Sequence, residues 1–535
     1  MTSAHLDLFV RDRLPPPDLQ PQFLFDLPEL AYPQRLNAFE LLDLAATSNP
    51  AGLAVIHGDQ RWTYRRLQAE AGRIAAFLID DLKLVPGQRV MLHAPNSPWC
   101  MAVWWGILKA GGIVVTTMPM LRAGELAKII AVAEISHAFC DLTLADVVVI
   151  AQELSGVIMS ITTIGMGADL DRRLGDRLPL AKSLDTAADD VALLAFTSGT
   201  TGKPKACIHF HRDILSMART FSRHILNPQP NEIFCGTPPF SFTFGLGALV
   251  VFPAAAGVCV VLPAAPGYDG LCEAIRREKV TTLFTAPTGY RALLKSLQQY
   301  DLTSLKKCVS AGEHLPRATS DQWFEATGIR LIDGIGSTEM IHIFISAAGN
   351  DIRPGATGKA VPGFTACILD EDNHPMPGAG KGRLAVRGPT GCRYLNDERQ
   401  LKYVVNGWNV TGDIYERDED GYFSFISRSD DIIVSSGYNI AAGEVEQALL
   451  LHPKVQEVAV VGSPDPERGA IVKAYVVLRD DASPSAELAG AMQDFVKQNI
   501  APYKYPRAIE FVADLPKTPT GKLQRFRLRD PLSNQ

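Results

Sequence analysis

Short β-branched or apolar runs bounded by turn residues recur at 89–93, 113–117, 191–195, 258–262 and 281–284, and stretches of helical periodicity such as 99–109 and 271–278 lie between several of them. This alternation predicts an α/β fold whose layers are built on parallel sheets. The helix at 98–110 has both ends written in: Ser97-Pro98 supplies a hydroxyl cap and a first-turn proline, and Gly111-Gly112 stops it. The uncharged run 246–262 contains Pro253 and several small residues and ends in Val258-Cys259-Val260-Val261-Leu262. It reads as a buried helix followed by a buried strand, and not as a membrane span.

After about residue 354 the pattern changes to shorter strands, at 365–369, 382–387 and 421–425, which predicts a β-rich, barrel-like subdomain. The polar stretch Ser427-Arg428-Ser429-Asp430-Asp431 then separates two apolar strands and marks a boundary. Beyond it, helices at 443–451 and 487–498 and strands at 455–461 and 473–478 form a small α+β unit. The expected division is 1–428 and 429–535. At 535 residues the chain is longer than one hydrophobic core supports.

A formal charge of −6, with basic residues scattered along the chain, argues against a nucleic-acid partner. The nine cysteines are odd in number and never spaced C-x-x-C, which implies reduced thiols over a disulfide frame or a zinc site. Residues 1–20 carry Asp and Pro where a secretory signal has an apolar core, so a cytoplasmic protein without a membrane partner is expected. Nothing in the pattern bears on oligomeric state.

The run Phe196-Thr197-Ser198-Gly199-Thr200-Thr201-Gly202-Lys203-Pro204-Lys205 leaves a strand and concentrates glycines, hydroxyls and two lysines. Glycines let backbone N–H groups approach anionic oxygens, hydroxyls add donors, and Lys203 and Lys205 add charge, so the run is suited to a polyphosphate. It is not a Walker loop: two residues, not four, separate Gly199 from Gly202-Lys203, and Pro204 turns Lys203 away from helical geometry.

The same run resembles the phosphate loop of the acyl-adenylate-forming superfamily, which comprises acyl- and aryl-CoA ligases, peptide-synthetase adenylation domains and luciferases. Further matches follow in the family's order over nearly the whole chain. Asp333-Gly334-Ile335-Gly336-Ser337-Thr338-Glu339-Met340-Ile341-His342-Ile343-Phe344 is most similar to the benzoate-CoA ligase group. Residues 23–41 and Phe242-Thr243-Phe244-Gly245-Leu246-Gly247 lean toward 2-aminobenzoate-CoA ligases. The resemblance implies a large N-terminal portion of αβ-layered subdomains with a barrel-like part, followed by a small mobile C-terminal domain. It also implies ATP, Mg²⁺ and coenzyme A as reactants: a carboxylate attacks the α-phosphorus of ATP, and a thiol then attacks the acyl carbon of the resulting acyl-AMP.

Carried over residue by residue, the resemblance makes Lys522 the catalytic lysine, Glu339 the carboxylate that holds Mg²⁺ on the phosphates, and Thr338 a contact to the α-phosphate region. Thr197, Ser198, Gly199, Thr200, Thr201, Gly202 and Lys203 would cradle phosphates. Ser310, Ala311, Gly312, Glu313 and Asp333, with Gly334, Ile335 and Gly336, would line the adenine side; Asp413 and Arg428 would hold the ribose. Where the superfamily often has an aromatic residue this chain has Ile335, as benzoate-type ligases do. Asp430 matches the hinge, Ser427 stands where the family usually has glycine, and Ser436, Gly437 and Tyr438 would line the pantetheine path. Phe244, Gly245, Gly247, Ile335 and His342 are the expected acid pocket: a flat aromatic face with glycines leaving width beside it, and a histidine closing the pocket near a ring substituent.

The resulting expectation is an AMP-forming aryl-CoA ligase for a benzoate-class acid, 2-aminobenzoate first and benzoate or another substituted benzoate second. The rival readings are a stand-alone aryl-adenylating enzyme that loads a carrier protein, and a nucleotide-binding module without catalysis.

Overall fold

The computed structural model describes residues 2–197, 204–435, 438–465, 469–479, 482–500, 502–517 and 523–529. Ser198, Gly199, Thr200, Thr201, Gly202, Lys203, Ser436, Gly437 and Lys522 lie outside the described residues.

Two large sheets carry the N-terminal part. The first has six strands in the order Ser160–Ile164, His137–Asp141, Arg89–His93, Ile113–Thr117, Val191–Thr197 and Lys205–Phe210. Five run parallel, and the last returns antiparallel as the second arm of a hairpin around the glycine-rich loop. The second sheet has nine strands. Its centre is parallel, running through Leu331–Gly336, Lys307–Ala311, Thr282–Thr285, Ile233–Gly236, Cys259–Leu262 and Leu53–His57. Its edges, Ile343–Ser346 with Lys359–Ala360 on one side and Gln60–Thr63 on the other, pair antiparallel. The parallel layers are as expected, with antiparallel pairs at the margins, where consecutive strands are joined without a crossover helix.

Between the sheets lies an apolar core that includes Trp62, Trp104, Trp105 and Phe77, all fully buried. The helix Pro98–Lys109 crosses it, with Ser97 Oγ accepting the Cys100 N–H at 3.1 Å, as its sequence ends require. The run 246–262 is helix then strand as read, but its helix has a π-helical segment, Gly247–Val251, between the turns Thr243–Leu246 and Phe252–Ala256. Pro253 accounts for the irregularity: it has no N–H to donate, and its ring would strike the carbonyl four residues back.

Residues beyond 360 form a five-stranded antiparallel sheet, Thr365–Leu369, Gly380–Arg387, Trp408–Arg417, Val404–Val405 and Phe423–Arg428. After Arg428 come a 3₁₀ turn at Ser429–Asp431 and a hairpin, Ile432–Ser435 with Tyr438–Ala441. A three-stranded sheet, Val455–Asp465, Gly469–Leu478 and Ala508–Phe511, then packs on helices Ala442–Leu450 and Ala486–Asn499 around a separate core that includes Val445, Val460, Val476 and Met492. All nine cysteines are unpaired, and no described helix is long and apolar enough to cross a membrane.

Candidate active site

The central strands of the second sheet end together, and the residues just past their C-termini open onto one cleft of about 2430 Å³. This is where parallel α/β sheets bind ligands. The volume is well above the roughly 300–1,000 Å³ of a site for one small molecule, so it suits several reactants at once.

Each strand end contributes a different wall. Gly236 to Pro239, Thr285 and Ala286, Ala311-Gly312-Glu313, and Gly336 to Glu339 follow four neighbouring strands and all line the cleft. Gly312 sits at φ +92° with open space where a Cβ would be, so the turn carrying it needs glycine for its backbone angle and not for packing. From the first sheet come Thr197, Pro204 and Lys205, the two ends of the glycine-rich loop. The antiparallel sheet adds Asp413 and Arg428, the segment between its strands Gly380–Arg387 and Val404–Val405 adds Tyr394 and Tyr403, and the C-terminal unit adds Gln456, Glu457, Arg479, Lys517 and Gln524. His314, stacked on Phe425 at 4.8 Å, meets Gln447 at 2.9 Å and so joins the C-terminal unit to the body beside the cleft.

Asp413 and Arg428 face one another across the pair Trp408–Arg417 and Phe423–Arg428, with Arg428 Nη1 2.9 Å from Asp413 Oδ1. Two residues read from separate motifs thus meet at one point of the wall. Thr338 and Glu339 occupy the turn after Leu331–Gly336, and His209 Nε2 donates to the Thr338 carbonyl at 2.8 Å. Glu339 is 7 % exposed, and its Oε1 accepts from the Tyr394 hydroxyl at 2.5 Å.

Magnesium fits this donor set. Among the described residues no group of three or more His, Cys, Asp or Glu could hold a metal alone, whereas one cleft carboxylate suits an ion brought in on phosphates and still partly hydrated.

His342 is 4 % exposed and stands among Phe252, Phe221 and Phe244, with ring centroids at 4.7, 5.2 and 6.0 Å. Burial lowers its pKa to about 3, and the facing Phe244 backbone opposes that shift without completing a hydrogen bond, so the imidazole is neutral near pH 7. Neither ring nitrogen has a hydrogen-bond partner among the described residues. One N–H and one lone pair are therefore unused beside an apolar wall of the cleft.

Four expectations need correction. Gly245 does not widen the pocket, because a Cβ there would lie 2.2 Å from the Pro239 carbonyl oxygen; its smallness serves backbone packing. Gly247 makes room for the His342 ring, which a Cβ would approach to 2.5 Å. Ile335 packs on the cluster of Met340, Phe344 and Ile345 and does not line the cleft, because alternation along its strand turns it to the opposite face. Asp333, and with it Gly334, also lies behind the wall. Asp333 borders a cavity of about 20 Å³ with Thr357, burial raises its carboxyl to about 8, and the Gly334 N–H and the Thr357 hydroxyl act against that rise.

Sequence reasoning gave no site role to Tyr394, Tyr403 or His209. Their partners lie 55, 66 and 129 positions away, so no local spacing marks them. Lys205, first read only as a charge of the loop, reaches the Tyr394 hydroxyl at 3.3 Å.

Comparison with known proteins identifies the family. Residues 42–394 match the model of the AMP-binding enzyme family, and 444–522 match that of the AMP-binding enzyme C-terminal domain. The chain is 32 % identical to the benzoate–CoA ligase of Thauera aromatica over 522 residues, 94 % of this chain and 97 % of that protein. The crystal structure of the anthranilate CoA ligase AuaEII in complex with anthranoyl-AMP superposes with a TM-score of 0.89 at 32 % identity, covering 94 % of this chain and 98 % of that one. A benzoate CoA ligase from Burkholderia xenovorans LB400 superposes with a TM-score of 0.85 at 30 % identity, covering 92 % of this chain and 100 % of the other.

Proposed function

The chain belongs to the AMP-binding enzyme family, and we propose that the acid it activates is of the benzoate class, 2-aminobenzoate before benzoate. It is an AMP-forming acid–CoA ligase, an enzyme type that takes a small carboxylic acid, ATP, Mg²⁺ and CoA. The choice of acid is carried by one observation: beside Phe244 at the cleft wall, a buried neutral His342 keeps both ring nitrogens without a partner among the described residues. A planar ring suits the aromatic face, and an ortho amino group would supply the donor that an imidazole nitrogen lacks. The similarity to the anthranilate, that is 2-aminobenzoate, ligase structure supports the same order.

In this reading Thr197 and the glycine-rich loop receive the phosphates, Thr338 borders the α-phosphate, and Asp413 accepts from the ribose hydroxyls with Arg428 beside it. Bound Mg²⁺ supplies charge neutralisation on the phosphates, with Glu339 to hold it. Lys522 bridges the acid carboxylate and the α-phosphate as charge develops. The boundary between body and mobile unit is placed at 428/429 with Asp430 as hinge, so that Ser436, Gly437 and Tyr438 serve the thiol in the second half-reaction.

Pyrophosphate release across benzoate, 2-amino-, hydroxy- and halobenzoates, with hexanoate as aliphatic control, tests the acid; the highest kcat/KM is expected for 2-aminobenzoate. Hexanoate leading the series would overturn the aryl reading. CoA-dependent AMP release without any carrier protein separates the ligase from a carrier-loading enzyme. His342→Ala is expected to reduce the preference for 2-aminobenzoate over benzoate by about tenfold, the worth of one hydrogen bond in a buried site. Because the readout is a ratio of two acids, general damage to the pocket cancels, and an unchanged ratio removes His342 from substituent recognition.

A further inference from the structure

The segment after Cys392 forms an isolated antiparallel bridge on the edge strand of the first sheet. Ile208 N–H donates to the Arg393 carbonyl at 2.8 Å, Leu395 N–H to the Ala206 carbonyl at 3.0 Å, and Tyr394 pairs with Cys207 between them. Tyr394 is thereby fixed beside the strand Lys205–Phe210 that leaves the phosphate loop. Its backbone N–H is held by the buried Gln400 Oε1 at 2.9 Å, and its ring meets Tyr403 edge-on at 5.9 Å. Tyr403 in turn reaches Ser337 Oγ at 3.2 Å.

From this fixed base the Tyr394 hydroxyl donates to Glu339 Oε1 and accepts from Lys205 Nζ at 3.3 Å. Lysine, phenol and carboxylate form a single chain of hydrogen bonds from the strand after the phosphate loop to the turn after Leu331–Gly336. A nearly buried carboxylate with one oxygen committed in this way has its rotation fixed and its second oxygen left for a ligand.

We propose that Tyr394 is a positioning residue for adenylation: its hydroxyl, oriented by Lys205, holds Glu339 in the one orientation that presents a carboxylate oxygen to the metal-bound phosphates. The proposal rests on the reading of Glu339 as the metal-holding carboxylate.

The test is a Mg²⁺ titration of pyrophosphate release by Tyr394→Phe in the full-length chain, with acid and ATP saturating. Tyr394→Phe removes one oxygen and keeps the ring, and Tyr394→Met repeats the titration with a flexible apolar side chain. The half-saturating Mg²⁺ concentration is expected to rise about tenfold, as for loss of a hydrogen bond to a charged group, with kcat largely recovered at high Mg²⁺. Without turnover, the gain in Tm from ATP with Mg²⁺ over ATP with EDTA is expected to shrink, while the unliganded Tm stays near that of the parent. Glu339→Ala alone should raise the Mg²⁺ requirement at least as much, and adding Tyr394→Phe to it should raise it no further. A parental Mg²⁺ requirement in Tyr394→Phe, or additive effects in the double variant, overturns the proposal. A parental requirement in Glu339→Ala instead overturns the reading of Glu339, and the proposal falls with it.

Discussion

Lys522→Ala is expected to lower acid-dependent pyrophosphate release by about two to three orders of magnitude, the scale set by removing one charge-stabilising donor from a transition state. ATP binding and thioester formation from pre-made aryl-AMP should stay within a few-fold of the parent, because the lysine is assigned to the first half-reaction. Lys522 itself lies outside the described residues, but anchors on either side of it are described. Lys517 and Gln524 line the cleft, and Lys517 pairs with Glu457 at 2.6 Å. Arg525 reaches Asp431 at 3.0 Å and Glu446 at 2.8 Å, which ties the residues after Lys522 to the start of the C-terminal unit, one position from Asp430. On the proposed reading, a lysine between such anchors would move with its unit, so that its charge would be delivered for adenylation and withdrawn for the thiol. Burst measurements of pyrophosphate, with ATP binding followed separately, make the comparison. Near-normal adenylation in Lys522→Ala would remove the lysine from the mechanism.

How much of this was readable beforehand depended on whether the signal was local. Ser97-Pro98 and Gly111-Gly112 fixed a helix because caps act within a turn, and the strand 191–195 was marked by its own composition. Asp413 and Arg428 came from separate motifs, and only the register of their two strands shows that they touch. Gly245 and Gly247 misled because a glycine next to an aromatic residue looks like space, whereas the absent Cβ is already occupied by Pro239 and His342. Ile335 misled in a related way: a motif gives position along a strand, and the pleat decides which face the side chain takes. Tyr394 gave no signal at all, since its role consists of contacts made across the fold.

Arg393→Leu is expected to destabilise the N-terminal part by about 3–5 kcal/mol near pH 7, the penalty for removing one partner of a buried ion pair. Arg393 and Asp213 are both 0 % exposed and 2.9 Å apart, and the guanidinium is sandwiched between the rings of Phe23 and Phe210, each 4.2 Å away. Burial alone would raise the Asp213 carboxyl, but Arg393, followed by His209 and Arg212, more than reverses this and holds it near about 2. A folded-state pKa below the unfolded value of about 3.9 means that the stabilisation is complete above that value and fades as pH falls toward the folded pKa. In Arg393→Leu the sign inverts: burial then governs, the carboxyl rises, and protonation relieves the penalty as pH falls. The stability gap between parent and variant is therefore expected to be widest near neutrality and to narrow toward about pH 4, as read by denaturant unfolding followed through tryptophan fluorescence. Arg393→Leu combined with Asp213→Leu should recover much of the loss at neutral pH, because no buried charge is left unpaired. A gap independent of pH, or a double variant no more stable than Arg393→Leu alone, would mean that the loss comes from the aromatic sandwich and not from the uncompensated carboxylate.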